Sequence, residues 1–511
     1  MDKNPQSQER GITLDLGFSC MILPPDEYRS EPMQLTLVDC PGHASLIRTV
    51  LSGARIIDFC LLVVDALKGF QTQTSECLVI AEILSPNLLI VVNKIDLIPE
   101  GERTTALALL DLKIRKTIDC TRFKVGIQIE YVSATTGFGT QSLIRALSKC
   151  ISTSPSRSVS GPLHFAFDHC FAMKGHGTVF TGTIISGSMR VGQMVSIPQY
   201  GEAGEVRSIQ KFRKPERCAI QGDRVGVCIP GIPAVGKERG DIYSSKNEVL
   251  SFDHAVFLVK KVKYFKPKVG KGNFHVCIGH THTMGTPYFF RPRVQSSDAV
   301  NPPASSGNQK PDRAATEPLV NALDSSWEHV SLSSTCATHT EYQSLEDMDL
   351  AEWDDAGLVF CLLLFQETVR FLPGSLMIAS KLDMDEGYKG CRVAFYGRQV
   401  SASREFLLQN VVRAKVKEGQ IERSLGDSSS FLVRNLLTKT DSNPKKFDGM
   451  RVSLVDSGTI GTIQSTFGKS GLLKVVFDSN SLDAPAIGGK VRLVLKKPVF
   501  TKVLDIREFR K

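Results

Sequence analysis

The 511-residue sequence predicts an α/β domain followed by three β-barrel domains. Residues 1–154 alternate strand-like and helix-like runs, which is the pattern of a mostly parallel sheet. A Ser/Pro/Arg stretch at 152–158 ends that pattern, and short strands separated by glycines follow it, as expected for small closed barrels. With 42% hydrophobic residues, the chain can bury several cores. The expected domains are 1–154, 160–250, 251–403 and 404–511.

In the first domain, short apolar runs predict strands and helical apolar spacing predicts helices between them. The predicted strands are Gln34–Val38, Phe59–Val64, Leu88–Val92 and Ile127–Val132. The predicted helices are His43–Ile56, Thr72–Leu84, Thr104–Ile118 and Gln141–Ile151. Because parallel strands end at the same edge of an open sheet, we expect the ligand at the polar residues that follow these strands.

The barrel prediction rests on glycines at turns between β-branched strands, as in GHGTVFTGTIISGS at 175–188. The third domain is interrupted at 294–355 by a stretch that is first rich in Pro, Ser and Asn and then acidic. Such low hydrophobicity does not offset the entropy of ordering, so we expect a disordered surface insertion there. The strings MRVSLV at 450–455 and LLKVVF at 472–477 indicate the strands of the fourth domain.

The net charge of +9 belongs to the last domain, because 404–511 holds 20 Lys and Arg against 11 Asp and Glu. A basic surplus on one module is the electrostatic footprint of a nucleic-acid partner. The simpler interpretation is a soluble, lysine-rich domain, and charge alone does not separate the two.

Several classes of protein are excluded by composition. No apolar run approaches the ~20 residues of a membrane-spanning helix, and the polar first residues do not resemble a signal peptide. Thirteen scattered cysteines without a C-x-x-C pair argue against a zinc ribbon and a disulfide scaffold. We therefore expect an intracellular protein with no membrane partner.

A first polar box, DCPGH at 39–43, follows the first predicted strand. Asp39 is suited to bind Mg²⁺ through water, and Gly42 lets a backbone N–H approach a terminal phosphate. His43 is placed to orient an attacking water. The short pattern D-x-x-G is more often only a turn, but the five-residue string is much more specific.

A second polar box, NKID at 93–96, begins 54 residues after Asp39. Asp96 can accept two hydrogen bonds from guanine N1 and the exocyclic amine, an arrangement that adenine does not offer. Asn93 is expected to contact the base and tie neighbouring loops, and Lys94 to lay its stem over the purine. A polar turn after a buried strand is the alternative, and the spacing argues against it.

Two weaker candidates complete a GTP site. Ser133 and Ala134 follow the next strand and offer a backbone N–H to the guanine carbonyl. Thr13, in the string RGITLD, has a hydroxyl suited to coordinate Mg²⁺ beside a γ-phosphate, with Asp39 as the other metal residue. Each of the two strings, taken alone, is also compatible with an ordinary loop.

A phosphate loop, G-x-x-x-x-G-K-[ST], is also expected in such a domain, and no such string occurs in the 38 residues before Asp39. The backbone N–H groups and the lysine of that loop neutralise the β- and γ-phosphates. We therefore expect an incomplete G domain, N-terminally truncated and lacking its first strand and phosphate loop. An incomplete gene model or an alternative start would explain it, and the chain as written is expected to bind GTP poorly.

The strings RGITLDLGFS, DCPGHASLIR, NKIDLIPEG and GHGTVFTGTIISGS, in this order and spacing, resemble those of the translational GTPases. FHVCIGHTHTMG and GMRVSLVDSGTIGTIQSTFGKSG extend the resemblance along nearly the whole chain to the selenocysteine-specific elongation factors, the SelB family. This resemblance implies a P-loop-type GTPase domain, two β-barrels and a fourth β-barrel peculiar to this branch. It also implies that Thr13 is the switch threonine on Mg²⁺, that Asp39 and Gly42 sense the phosphate, and that His43 positions water on the ribosome.

The resemblance further implies an aminoacyl pocket for the selenocysteine of a charged tRNA, matched here by Phe18, His169 and Arg224. A selenol is largely an anion near neutrality, so a cationic Arg224 with His169 would favour the selenolate over a serine hydroxyl. Without the resemblance, a core histidine and a surface arginine are the simpler interpretations.

The predicted function is GTP-dependent delivery of selenocysteinyl-tRNA to the ribosome for selenocysteine incorporation at recoded UGA codons. We expect a monomer in the cytoplasm, with the nucleus as a second compartment, whose basic domain contacts the recoding-element RNA or an RNA-binding adaptor. Two alternatives stay open. One is a non-hydrolysing short form that binds tRNA and RNA, and the other is a different translational GTPase, such as an ordinary elongation factor or an initiation factor gamma subunit.

Overall fold

The protein is described from a computed structural model. The chain divides into two compact units, Met1–Tyr288 with Glu346–Ser401 and Phe289–Leu345 with Ala402–Lys511. The residues that the structure describes are 17–40, 56–84, 87–123, 126–152, 160–175, 177–244, 250–292, 341–355, 357–384, 388, 390–400, 410–426, 429–437, 447–467, 471–477 and 486–500.

The α/β part of the first unit has a parallel three-stranded sheet, in the order β3-β4-β5, and a separate antiparallel strand pair, β1–β2. A single turn of 3₁₀ helix, Ile95–Leu97, follows the central strand. The elements are β1 (Gly17–Leu23), β2 (Met33–Asp39), β3 (Cys60–Asp65), α1 (Thr72–Leu84), β4 (Leu88–Asn93), α2 (Glu100–Ile118), β5 (Gln128–Tyr131) and α3 (Thr140–Ser152).

Most of the predicted elements of this part are observed, with small changes at their ends. Helix α1 has the predicted bounds, whereas α2 begins four residues before the predicted Thr104. Glu100 and Glu102 lie in its first turn, where acidic side chains complement the helix dipole. Strand β1 was not predicted, and the predicted helix at 43–56 lies almost entirely outside the described residues.

The core of the α/β part forms around β4, which is buried from Leu88 to Val92. A central parallel strand is covered on both faces, which is why its sequence is continuously apolar instead of alternating. Leu110, Ile114 and Ile118 of α2 pack into the same core, and their spacing of four residues keeps them on one face of that helix. This packing fixes the loop that begins at Asn93.

The second part of the first unit is an antiparallel β domain whose main sheet has the order β10-β9-β15-β6-β7-β14-β11-β12, with β13 and β8 paired separately. Strands β6 and β7 pair along ten residues each and position the candidate pocket. The strands are β6 (His164–Met173), β7 (Gly177–Ser186), β8 (Ser188–Arg190), β9 (Met194–Ile197), β10 (Glu202–Glu205), β11 (Ser208–Lys211), β12 (Lys214–Glu216), β13 (Cys218–Ile220), β14 (Arg224–Ile229) and β15 (Gly240–Ser244).

The third part of the first unit is also antiparallel, with strands adjacent in the order β17-β21-β22-β16-β20-β18 and with β17 paired to β18 as well. A short helix, α4 (Leu350–Asp355), precedes β20. The strands are β16 (Leu250–Lys261), β17 (Phe274–Ile278), β18 (Thr281–Pro292), β20 (Val359–Phe371), β21 (Leu376–Ser380) and β22 (Val393–Gln399).

The second unit contains a closed ring of six described strands, β23-β24-β27-β26-β25-β28, in which β28 pairs back onto β23. Strand β19 (Tyr342–Leu345) pairs with Phe289–Pro292 on one side and with β23 on the other. The ring strands are β23 (Val411–Ser424), β24 (Ser430–Arg434), β25 (Arg451–Leu454), β26 (Ile460–Phe467), β27 (Leu472–Phe477) and β28 (Lys490–Pro498).

The predicted disordered insertion at 294–355 is wrong over 341–355, where β19 and α4 form. This acidic stretch also contains three large apolar side chains that are buried: Tyr342, Met348 and Trp353. Burial of such large side chains offsets the entropy cost of ordering the segment, which its low overall hydrophobicity was expected to leave uncompensated. Residues 293–340 lie outside the described part of the chain.

Within the described residues, no helix combines the length and apolar character needed to span a membrane. The twelve cysteines that the structure describes are free thiols. The predicted domain boundaries stay predictions.

Candidate functional site

The loop after β4 carries the second polar box, and Asn93 organises it. The Asn93 Oδ1 atom accepts a hydrogen bond from the backbone N–H of Lys94 (2.8 Å) and another from that of Ala134 (3.1 Å). Asn93 therefore ties the loop after β4 to the loop after β5, as predicted. Lys94 has a φ of 67°, a left-handed conformation that non-glycine residues rarely adopt. This sharp turn leads directly into the 3₁₀ turn that contains Asp96.

Asp96 presents an unsatisfied acceptor. Its Oδ1 atom is buried and has no hydrogen-bond partner among the residues that the structure describes. A buried polar atom without a partner costs roughly 1–3 kcal/mol, so such atoms usually mark a place where a ligand or water supplies the missing donor. The guanine N1–H and amino groups are donors of the required kind.

Lys94 is held at its far end. Its Nζ atom donates to Asp65 Oδ2 at 2.9 Å, where Asp65 is the last residue of β3. The hydrogen bond from Lys94 lowers the pKa of the Asp65 carboxyl, with smaller contributions from the backbone N–H groups of Lys68 and Leu67. The lysine side chain is still half exposed, so the ion pair does not bury it.

Ser133 and Ala134 both use their backbone N–H groups within the protein. The Ser133 N–H donates to Phe138 O at 3.0 Å, and the Ala134 N–H donates to Asn93 Oδ1. Ser133 is fully buried, and its hydroxyl accepts from the N–H of Thr136. Both predicted N–H donors are thus already used within the protein, because the two loops are closed on each other. These residues shape the wall of the site in this structure.

The phosphate end of the site is described only at Asp39. This residue ends β2, where it is half-buried and lies opposite Gly17. Its carboxylate is a hard oxygen donor of the kind that Mg²⁺ prefers. Thr13, Gly42 and His43 lie outside the described residues, so their roles stay predictions, as does the expected lack of a phosphate loop.

A second cluster forms around Arg224, the first residue of β14. Its Nη1 and Nη2 atoms donate to Asp168 Oδ2 and Oδ1 at 2.6 Å and 2.9 Å, a bidentate pair. Its Cζ atom lies 3.2 Å from the ring centroid of Phe18, in cation–π contact. The arginine side chain is only 11% exposed, so its guanidinium is largely removed from solvent.

His169 joins the same carboxylate, because its Nδ1 atom lies 2.7 Å from Asp168 Oδ1. The register of β6 against β7 shifts between Phe167 and His169, which marks a β-bulge at Asp168. A bulge re-aims the side chains beside it, and this one turns Asp168 inward and leaves the His169 ring half exposed. Gly182 permits the close approach of the strands, since a Cβ there would lie 2.1 Å from the Ala166 carbonyl oxygen.

Asp168 remains ionised despite its burial. Burial raises the pKa of its carboxyl, but the hydrogen bonds from His169 and Arg224 outweigh that effect, so the pKa lies below its usual value of 3.8. The structure therefore brings Phe18, His169 and Arg224 together as predicted and adds Asp168, which sequence reasoning missed. The available signal was an acidic residue inside the otherwise apolar strand HFAFDHCFAM.

The pocket also differs from its predicted electrostatics. Arg224 was expected to act as a cation beside His169, whereas it carries a buried counter-ion in Asp168. An arginine removed from water requires such a partner, because desolvation of an unpaired charge costs several kcal/mol. An anion in the pocket therefore meets a neutralised Arg224–Asp168 pair with the half-exposed ring of His169 beside it.

Comparison with known families covers four segments of the chain. Residues 1–153 match the elongation factor Tu GTP binding domain, and residues 177–244 match elongation factor Tu domain 2. Residues 256–397 match the third domain of the eukaryotic selenocysteine-specific elongation factor, and residues 408–496 match the eEFSec C-terminal RIFT domain.

Two curated relatives are similar over most of their length. The selenocysteine-specific elongation factor of Mus musculus is 38% identical over 508 residues, which covers 93% of this chain and 82% of the mouse protein. That of Methanocaldococcus jannaschii is 29% identical over 502 residues, with 97% and 91% covered.

Two solved structures are similar as well. The elongation factor SelB from Methanococcus maripaludis, in complex with the GTP analogue GPPNHP, gives a TM-score of 0.73 at 25% identity, covering 95% of this chain and 93% of that chain. A bacterial selenocysteine-specific elongation factor gives a TM-score of 0.56 at 19% identity, covering 79% and 55%. The bacterial match supports the fold alone.

The nucleotide loop, the β domains that follow it and the matched domain families define a translational GTPase. The third and fourth domains and the mouse relative narrow that class. The chain belongs to the family of selenocysteine-specific elongation factors. An ordinary elongation factor, an initiation factor gamma subunit and a non-hydrolysing short form are not favoured.

Proposed function

We propose that the protein binds GTP and selenocysteinyl-tRNA and delivers the tRNA to the ribosome, where selenocysteine enters at recoded UGA codons. The observation that carries this proposal is the buried Oδ1 atom of Asp96, which has no partner among the described residues and belongs to the 3₁₀ turn that follows Asn93 and Lys94. Family membership supplies the GTPase activity and the class of tRNA and ribosomal partners.

The nucleotide would be read at its base and neutralised at its phosphates by different residues. Asp96 would accept from the guanine N1–H and amino groups, while the stem of Lys94 would cover the face of the purine. Mg²⁺ is expected at Asp39 and Thr13, where it supplies charge neutralisation of the phosphates. His43 would orient the attacking water.

The aminoacyl pocket would take the selenocysteine side chain between Phe18, His169 and Arg224. Asp168 fixes both His169 and Arg224, so their positions are set before the ligand arrives. A selenolate would gain chiefly from the half-exposed imidazole of His169, with the Arg224–Asp168 pair beside it, whereas a serine hydroxyl brings no charge.

The second unit would supply an RNA contact. Arg413 of β23 and Lys497 of β28 are directly opposite in the strand register, and Lys415 lies two residues along β23 on the same face. Like charges placed opposite each other destabilise a strand pair, so their presence favours a function outside the fold. Phosphates of the recoding-element RNA are the partner of matching charge, and an acidic adaptor protein is the alternative.

The predicted quaternary and cellular state completes the proposal. We propose that a monomer carries out this cycle in the cytoplasm, where ribosomes work, with the nucleus as a second compartment.

Nucleotide binding is tested by titrating the purified protein with fluorescent GTP and with xanthosine triphosphate. GTP is expected to bind in preference to xanthosine triphosphate, and Asp96→Asn is expected to shift the preference towards xanthosine, because the amide donates where the carboxylate accepts. Asp111→Asn, which changes the same residue type in a partly exposed ion pair with Arg115 on α2 and keeps an acceptor for the Tyr131 hydroxyl, should leave both affinities unchanged. No GTP binding, or an unchanged preference in Asp96→Asn, would overturn the assignment.

The tRNA partner is tested by measuring how well the GTP-bound protein protects aminoacyl-tRNA from deacylation. Selenocysteinyl-tRNA should be protected better than seryl-tRNA on the same tRNA body, and Arg224→Ala should remove the difference. Arg115→Ala on the surface of α2 is the matched control. Equal protection of the two tRNAs by the unmodified protein would contradict the pocket.

A further inference from the structure

The two carboxylate oxygens of Asp65, at the end of β3, accept hydrogen bonds from different groups. Its Oδ1 atom accepts hydrogen bonds from the backbone N–H groups of Leu67 (2.9 Å) and Lys68 (3.1 Å), which fixes the turn that follows the strand. Its Oδ2 atom is left to accept from Lys94 Nζ. In the parallel register of the sheet, Asp65 lies directly opposite Asn93, the residue before that lysine.

This arrangement restrains Lys94 at both ends. Its backbone is fixed in a left-handed turn by the hydrogen bond to Asn93 Oδ1, and its ammonium is fixed by Asp65. The side chains of Lys94 and Asp65 are 53% and 20% exposed, and ion pairs this exposed add little to folding stability. The restraint therefore serves the position of the lysine stem more than it serves the fold.

We propose that Asp65 is a positioning residue for the bound guanine nucleotide, because it holds the stem of Lys94 where the stem covers the face of the purine. This inference rests on the nucleotide site proposed above. A lysine that is already ordered loses no further rotamer freedom when the base arrives, which favours binding. Asp65 itself does not touch the nucleotide.

The two carboxylates of the site then have separable effects. Asp96 contacts the edge of the base, which differs between guanine and hypoxanthine because hypoxanthine lacks the 2-amino group. Asp65 acts through Lys94 on the face of the ring, which the two purines share. Removing the charge of Asp65 should therefore weaken both nucleotides equally, whereas changes at Asp96 should alter the choice between them.

The test compares dissociation rates of fluorescent GDP and its inosine analogue from the full-length protein and from Asp65→Asn. The amide oxygen of asparagine still accepts from Leu67 and Lys68, so the turn is kept and only the attachment of Lys94 is lost. We expect both dissociation rates to rise about tenfold, the size of one flexible side chain that becomes free to move, with their ratio unchanged. Melting temperature should stay within a degree or two of the unmodified protein.

A double-mutant cycle distinguishes positioning from a general structural effect. In a Lys94→Ala background, Asp65→Asn should produce no further change in either dissociation rate. Asp111→Asn serves as the control for loss of an acidic charge on the same domain. Unchanged dissociation in Asp65→Asn, or an undiminished effect of it without Lys94, overturns the inference. Failure of the unmodified protein to bind either nucleotide would instead overturn the proposed function.

Discussion

Arg224 lies against the ring of Phe18, with 3.2 Å between its Cζ atom and the ring centroid. Phe18 belongs to the β1–β2 hairpin of the α/β part, whereas Arg224 belongs to a strand of the following β domain. In the hairpin register, Phe18 is opposite Val38, the residue before Asp39. The predicted phosphate-sensing carboxylate and Phe18 of the proposed aminoacyl pocket are thus close together on one strand pair, which under the proposed function would be a physical route between nucleotide state and tRNA binding.

Phe18→Leu tests this route. The substitution keeps an apolar side chain but removes the π face, whose contact with a largely desolvated guanidinium is worth up to about 2 kcal/mol. We expect roughly tenfold weaker binding of selenocysteinyl-tRNA and a smaller difference between the GTP and GDP states. Phe138→Leu, at an exposed phenylalanine of the same part, is the matched control. Equal tRNA affinity in Phe18→Leu and the unmodified protein would show that the contact is only structural.

Asp168→Asn should destabilise the protein strongly and with a defined pH dependence. Removing the carboxylate leaves Arg224 as a buried cation without a counter-ion, at a cost of about 3 kcal/mol. Because the pKa of Asp168 is lowered in the folded state, its contribution is present above the usual value of 3.8 and is lost as pH falls through the folded pKa.

Chemical unfolding of Asp168→Asn and the unmodified protein between pH 3 and pH 7 checks this expectation. The difference in free energy of unfolding should be largest at neutral pH and should shrink in acid. Glu418→Gln, whose ion pair with Arg492 is nearly half exposed on both sides, should cost less than about 1 kcal/mol. A difference that does not change with pH would argue against the ionised pair.

The sequence predicted an element correctly where its local hydrophobic pattern matches the way the element is buried in the fold. The bounds of α1 and the continuous apolar run of β4 are predicted because helical spacing and a doubly covered strand leave a direct signature. Asp168 was missed because a buried charge is recognised only through a partner, and Arg224 is 56 residues away in the chain. Strand β19 was missed because its order depends on distant pairing with β23, which composition does not reveal.

Glu76→Gln is expected to stabilise the protein at higher pH. Glu76 of α1 is buried, and its Oε1 atom accepts from the backbone N–H of Arg392 at 3.2 Å. Burial raises the pKa of this carboxyl above its usual value of 4.5, and the contact with Arg392 offsets this only in part. A glutamine keeps the acceptor and removes the charge.

The sign follows from the raised pKa. The protonated carboxyl favours the folded state below pH 4.5, and this advantage is lost as pH rises through the folded pKa. Thermal melts should therefore show that Glu76→Gln gains a few degrees at pH 8, for a change on the order of 1 kcal/mol, and gains nothing at pH 4. Glu82→Gln on the same helix, which also accepts a backbone N–H but is only half-buried, should show no such pH-dependent gain. A Glu76→Gln melt that parallels the unmodified protein at every pH would contradict the argument.

Lys497→Gln separates folding from RNA binding in the second unit. Lys497 lies directly opposite Arg413, and relief of like-charge repulsion across a strand pair is worth roughly 0.2–1 kcal/mol, so the variant should be slightly more stable.

If this face binds phosphates, loss of one cation should lower RNA affinity and reduce the slope of log K against log salt concentration by roughly 0.7–0.9. Measuring the binding of the recoding-element RNA between about 50 and 200 mM salt gives both the affinity and the salt slope. Lys268→Gln, at an exposed lysine near Asp349 and Glu352 in the first unit, is the matched control for lost charge. A more stable Lys497→Gln with an unchanged salt slope would show that Lys497 does not contact RNA phosphates.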